Sequence, residues 1–205
     1  MARDRSPIVK QSRREGYALH PKAHKIMVKK SSIPGQHGRD RQGKQSLYAV
    51  QLREKQKVRR LYGLLERQFS RLMSESNRTK GQSGQVLLQL LERRLDNVVY
   101  RAGFSVSRRG ARQLVNHGHF MLNGRRVDIP SIRVSIGDEI TIRPASKKTS
   151  YFQNIDQVVG NTSQPSLSWL KSDIKKFSIK ITGLPKREES EPDINEQLIV
   201  EYYSR

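Results

Sequence analysis

The chain contains no cysteine. That excludes disulfides and thiolate metal sites, and it fits a reducing compartment. No apolar run approaches the roughly 18 residues that read as a transmembrane helix. The opening MARDRSPIVKQSRREG has no apolar signal core, so a soluble cytosolic protein without a membrane partner is expected. Aromatic residues make up only 6% of the 205 positions, so stacking on splayed single-stranded bases is not the expected mode of binding. Acidic residues are scarce too: 19 Asp and Glu stand against 40 Lys and Arg, a formal net charge of +21. Such a surplus repels itself unless a polyanion is present. Nucleic acid is therefore the leading class of partner.

The charge is unevenly placed. Residues 1–150 hold 33 basic and 11 acidic side chains, whereas residues 151–205 hold 7 and 8. The first three quarters should face the polyanion, and the tail should pack or touch protein.

Residues 1–45 are basic and poor in large apolar side chains, with Pro7, Pro21 and IPGQHG at 33–38. Such a segment buries too little surface to offset its ordering entropy, which predicts an extension that orders on its partner. From Leu47 to Met73 one long amphipathic helix is predicted. At about 100° per residue, Val58, Leu61, Leu65, Phe69 and Leu72 share an arc. Arg53, Lys57, Arg60, Arg67 and Arg71 line up beside it with almost no interleaved acid, a pattern suited to phosphate. After the loop TKGQSG, Leu87, Leu91, Leu95, Val98 and Ala102 predict a second helix from about Val86 to Arg101, with Gly103 as its stop.

SRRGARQLVNHGHFMLNGRRVDIP follows at 107–130. Ser107 suits an N-cap and Gly118 a C-terminal stop. Ala111, Leu114 and Val115 share one face of this helix; Arg108, Arg109, Arg112 and Asn116 take the other. Gly110 inside it costs about 1 kcal/mol relative to alanine. Phe120 and Leu122 then alternate with polar residues, and Asn123–Gly124 is a hairpin turn signal. Ile132, Val134 and Ile136 alternate as a further strand; Gly137–Asp138 turns into Ile140 and Ile142. Later, Trp169 and Leu170 should anchor on something apolar, KKFSIKITG at 175–183 reads as a strand, and DINEQLIVEYYSR at 193–205 should dock on an earlier element.

A helix, a turn at AGFSVS and a basic helix also fit a DNA-reading helix-turn-helix. The central glycine and the cationic hairpin after it, with Arg125 and Arg126, favour a broad face for irregular RNA backbone.

RRLDNVVYRAGFSVSRRGARQLVNHGHFMLNGRRVDIPSIRVSIGDEITIR at 93–143 resembles the RNA-binding module named after the ribosomal S-four family. SRREG (12–16), PGQHG (34–38), YAVQLREKQKVRRLYGLLERQF (48–69) and DINEQLIVEYYSR resemble the bacterial members of that family, in the same order and at about the same spacing. The resemblance implies an α+β fold: a mostly helical domain carrying an inserted module of two helices packed on a small β-sheet, plus the basic N-terminal extension. It implies an extension at 1–45, a helical domain at 46–92 with about 184–205, and an inserted domain at 93–183 holding the module at about 93–150.

It further implies a primary binder of small-subunit ribosomal RNA that nucleates assembly of the subunit body. A role in decoding accuracy through ribosomal protein S-five, a further neighbour in S-three, and a place near the path by which messenger RNA enters are also implied. Carried over by position, the RNA contacts are Arg13, Arg14, Gln36 and His37 in the extension, and Arg53, Lys55, Lys57, Arg59 and Arg60 in the long helix. In the module they are Ser107, Arg108, Arg109, Arg112, Gln113, His117, Asn123 and Arg125.

Two departures stand out. Some members bind zinc through four N-terminal cysteines, which this sequence lacks, and His20, His24 and His37 make a poor substitute; no metal and no cofactor are expected. Arg109–Gly110 stands where the family often has a better helix former. An enzyme is not expected either. A pseudouridine synthase with this module would need a large catalytic domain, and only 55 residues follow Ser150. No P-loop, Ser–His–Asp order or H-E-x-x-H occurs. A small stress or recycling protein with the same module would not require the matching ends.

Overall fold

The computed structural model describes residues 4–40, 43–159 and 167–204. The chain forms two compact units, Met1–Leu87 with Glu191–Arg205, and Leu88–Ser190. The class is α+β. No helix among the described residues is long and apolar enough to cross a membrane.

In the first unit, α1 (Ile8–Glu15) and α2 (Pro21–Lys29) already fold the segment expected to be an extension. Polar anchors do what apolar area could not. The fully buried Ser12 hydroxyl donates to Ile8 O at 2.8 Å and accepts from Leu19 N at 3.2 Å, and Leu19 and Ala23 are buried beside it. Arg13 Nε donates to Ser32 O at 3.0 Å, tying the following loop to α1.

The long helix is two helices, α3 (Leu47–Leu61) and α4 (Glu66–Arg78). Gly63 at φ 65° lets its own N–H reach Arg60 O and the Leu64 N–H reach Arg59 O, which closes α3 in a Schellman turn. Arg67 and Arg71 therefore leave the line of Arg53, Lys57 and Arg60, and both are exposed on α4.

The unit boundary falls within α5 (Ser83–Glu92), and α6 (Leu95–Arg101) follows after a second unexpected break. The break frees main-chain groups. Leu95 N donates to Ile132 O at 2.8 Å and Arg93 O accepts from Val134 N at 3.0 Å. That pairing also explains why 132–136 forms only an isolated bridge, Arg94 to Arg133, instead of the expected strand, and why Ile136 stays exposed.

The second unit continues with α7 (Arg108–Asn116), β1 (Phe120–Leu122), β2 (Arg125–Val127), β3 (Glu139–Ile142), three short helices α8 (Pro144–Lys147), α9 (Ser150–Gln153) and α10 (Ile155–Val159), then β4 (Leu170–Asp173) and β5 (Ser178–Ile181). The strands form one antiparallel sheet in the order β2-β1-β3-β5-β4. Two of the five strands thus come from beyond residue 150. One sheet face is apolar: Phe120, Ile140, Ile142, Leu170, Ile179 and Ile181 join Leu95, Val98, Val99, Ala111 and Val115 of α6 and α7 in a single core. Trp169 is 1% exposed in that core, as its sequence setting suggested.

The chain returns to the first unit as α11 (Glu196–Tyr203), which packs on α3, the docking expected of the terminal apolar cluster. Ile199 is fully buried, and the rings of Tyr203 and Phe69 lie 6.2 Å apart.

Candidate nucleic-acid interface

Helix α7 forms because Ser107 caps it, its hydroxyl accepting from Gly110 N at 3.2 Å, and because Ala111, Leu114 and Val115 bury one side. Gly110 has a reason the sequence did not disclose. A Cβ there would lie 2.5 Å from Ser105 Oγ and 3.3 Å from Ser107 Oγ, so a side chain would have to displace the Ser105 hydroxyl, which donates to Ser107 O at 3.1 Å. Arg109, Gln113, Asn116 and His117 make an exposed stripe at helical spacing.

The hairpin beside α7 turns at Asn123 (φ 49°) and Gly124 (φ 79°), as a two-residue turn of this hand requires. Asn123 also does a second task. Its Nδ2 donates to Asp138 Oδ1 at 2.8 Å and its Oδ1 accepts from Glu139 N at 2.9 Å, locking the hairpin to the next turn. Arg125 is exposed on β2. His117 sits 5.9 Å from His119, ring to ring. His119 is pushed below the usual histidine range, first by burial and then by His117 and Arg143, and its Nδ1 lies 3.0 Å from Ser146 Oγ.

Arg108 and Arg112 face inward rather than outward. Arg112 is 8% exposed, with Nη1 3.6 Å from Asp96 Oδ2. Asp96 also accepts two hydrogen bonds from buried Arg94, at 3.1 and 2.9 Å. Arg108 Nε donates to Asn97 Oδ1 at 2.9 Å, and its guanidinium lies 4.5 Å from the centre of the Tyr100 ring. Asn97 in turn donates to Glu92, whose carboxylate takes a bidentate pair from Arg101 at 3.0 and 2.9 Å. These acids neutralise the buried arginines and tie α7 to α6 through Arg112. Sequence reasoning missed Glu92, Arg94, Asp96, Asn97 and Arg101 as a group, because their partners are brought together by the break between α5 and α6 and not by helical spacing.

In the first unit the candidate cations of α3 are engaged by acids that sequence spacing did not place there. Buried Glu15, from α1, pairs with Arg53 at 3.2 Å and closely with Arg60. Burial pushes the Glu15 carboxyl above the usual carboxylate range, with Arg53, Arg60, Arg14 and Arg59 pulling the other way. Lys55 is 4% exposed, 2.7 Å from Glu66 Oε1 and 4.5 Å from the centre of the Tyr202 ring. Lys57 donates to Asp193 O at 2.6 Å and pairs with Glu54 at 2.9 Å; Arg59 donates to Gln56 Oε1 at 3.0 Å.

Arg14 is more open, its Nη2 3.5 Å from Pro34 O. With Lys10, Arg53 and Arg60 it lines a cleft of about 470 Å³. Gln36 and His37 are exposed on the following loop, and His37 Nδ1 lies 2.8 Å from Asp40 Oδ2. His20 caps α2 through Lys22 N, so it and His37 serve separate local tasks. Among the described residues no His, Asp and Glu cluster could hold a metal ion.

The family described as Ribosomal protein S4/S9 N-terminal domain matches residues 3–92, and the one described as S4 domain matches 93–140. The chain is 52% identical to the small ribosomal subunit protein uS4 of Herpetosiphon aurantiacus, over all of both chains. The uS4 proteins of Chloroflexus aurantiacus and Thermus thermophilus are 50% and 48% identical, again over their full lengths.

The chain belongs to the S4 family of ribosomal proteins. It is a family of ribosomal proteins, not of enzymes. The S4 domain match spans α6, α7 and the β1–β2 hairpin, so the exposed α7 stripe and Arg125 lie inside it.

Proposed function

We propose that the chain is a structural constituent of the small ribosomal subunit, in the cytoplasm, and a primary binder of that subunit's ribosomal RNA. The observation that carries this is the exposed stripe Arg109, Gln113, Asn116 and His117 on α7, which with exposed Arg125 falls inside the S4 domain match and stands on a unit whose buried arginines are internally neutralised. A rigid polar face with few aromatics suits phosphate and sugar contacts better than base stacking. The cleft of Lys10, Arg14, Arg53 and Arg60 provides a second cationic element for the same RNA, and Arg13, Gln36 and His37 are further contacts proposed in the same unit. Lys55, Arg108 and Arg112 act beneath these surfaces, and Ser107 and Asn123 shape them.

Nucleation of assembly of the subunit body follows from binding RNA before other proteins arrive. Contact with ribosomal protein S-five, and with S-three, belongs on the α11 side of the first unit. Exposed Leu47 and Tyr48, the Tyr202 ring 5.6 Å from Tyr48, and exposed Glu201 suit a protein surface there. An influence on decoding accuracy and a position near the path of incoming messenger RNA would follow from those contacts. The test is binding to naked small-subunit ribosomal RNA and to unrelated RNA of equal length at matched ionic strength. Tighter binding to the ribosomal RNA is expected; equal affinity would overturn the reading.

A further inference from the structure

The outer face of the sheet and the β4–β5 turn carry lysines that the functional reading leaves unused. Lys171 and Lys180 are directly opposed across β4 and β5, and Lys180 is opposed on its other side by Glu139. Residues opposed in an antiparallel ladder point to the same side, and neighbouring strands lie about 4.8 Å apart. Two exposed ammonium groups thus share one patch, an arrangement that disfavours the free sheet. Lys175 and Lys176 extend it from the turn, and Lys147 comes within 5.6 Å of the Phe177 ring at the end of that turn. Phe177 holds φ 56°, in the left-handed region, with its ring against Phe152 in the core.

Among the described residues the acids of this face are two, in exposed pairs: Lys176 with Asp173 at 3.7 Å and Lys180 with Glu139 at 3.6 Å. Exposed pairs of this kind are weak and readily exchanged.

Edge-strand lysines commonly block sheet-to-sheet aggregation. That accounts for Lys171 on edge strand β4. It does not account for Lys180, which is on an interior strand, or for Lys175 and Lys176 in a turn. Among the described residues the other outward strand side chains are Ser178 on β5 and, on the far strands β1 to β3, Thr141, Arg126 and the half-buried Met121; the β4–β5 part itself is lysine-rich, and lysine is depleted from protein-interface cores.

We infer that the outer face of β4 and β5, with Lys171, Lys175, Lys176 and Lys180, is a second RNA-backbone contact, separate from the α7 stripe. This rests on the proposal that the chain binds ribosomal RNA. It also gives the near-neutral tail segment an RNA-facing part, because its lysines are concentrated on one hairpin.

The test is salt titration of RNA binding by the full chain with all four lysines changed to glutamine, beside a variant with all four changed to arginine. Each backbone contact contributes about 0.7–0.9 to the slope of log K against log salt. The glutamine variant should lose about three units of slope and bind about tenfold or more weakly at 0.1 M salt, with unchanged circular dichroism and melting. The arginine variant should keep the wild-type slope. An unchanged slope in the glutamine variant overturns the inference in favour of solvated edge lysines. Unchanged RNA binding with lost binding to a purified small-subunit protein overturns it in favour of a protein surface. If the wild type shows no preference for ribosomal RNA while the glutamine variant still loses slope, the proposed function fails and this inference stands.

Discussion

Replacing Arg112 with alanine should loosen the second unit before it weakens RNA binding, and replacing Arg125 should do the reverse. Arg112 is 8% exposed and 3.6 Å from Asp96. Removing one partner of a buried ion pair costs about 3–5 kcal/mol. Here Asp96 keeps its bidentate pair with Arg94, and the distance to Arg112 is long for a hydrogen bond. The loss should therefore fall below that range, at about 2 kcal/mol. For a unit of this size each kcal/mol lowers the melting temperature by about 4–8 °C, so a drop of about 8–16 °C is expected. Arg125 is exposed on an edge strand. Its removal should change stability by no more than about 0.5 kcal/mol while reducing the salt slope of RNA binding by about 0.7–0.9. Calorimetry and salt titration on both variants separate the roles. An Arg112→Ala protein that melts with the wild type yet loses RNA slope would refute the assignment of Arg112 to the scaffold.

Asn123→Asp should set a carboxylate against Asp138 and lose the 2.8 Å donor, at a cost of about 1–3 kcal/mol at pH 7. Urea midpoints should recover toward wild type when Asp138→Asn is added to the variant; no recovery would argue against this pairing. Gly110→Ala should destabilise despite the roughly 1 kcal/mol of helix propensity it gains, because its Cβ meets Ser105 Oγ. Adding Ser105→Ala should restore part of that loss, and failure to do so would mean the clash is not the cause. Burial tends to raise the Glu66 carboxyl, but hydrogen bonds from Lys55 and Tyr203 outweigh it and hold the group below its ordinary value of 4.5. Its stabilisation is therefore present above pH 4.5 and lost as pH falls through the lower folded value. Tyr203→Phe should flatten that acid-side loss, and an unaltered profile would show that the Tyr203 hydroxyl contributes nothing to it.

Local signals were the legible part of the sequence. Ser107, Asn123–Gly124 and the apolar cluster of α11 act through neighbours within a turn or by plain burial, and each does in the structure what its pattern indicated. Gly63 was equally legible: glycine followed by leucine after a helical run marks a Schellman stop, although the continuous apolar arc masked it. Electrostatic partnership was not legible. The cations of α3 read as free for phosphate because Glu15 lies 38 residues before Arg53 and Glu66 lies 11 after Lys55. In α7 the same blindness hid Arg112, whose acid belongs to α6. Folding of residues 4–40 escaped notice because buried polar anchors such as Ser12 carry it.

The central claim is that the α7 stripe lies on small-subunit ribosomal RNA. With no native cysteine, Gln113→Cys gives a single tether on that stripe for a hydroxyl-radical source. Cleavage of naked small-subunit RNA confined to the strands of one multi-helix junction is the predicted result. Scattered cleavage, or none from a protein that still binds, would contradict the account.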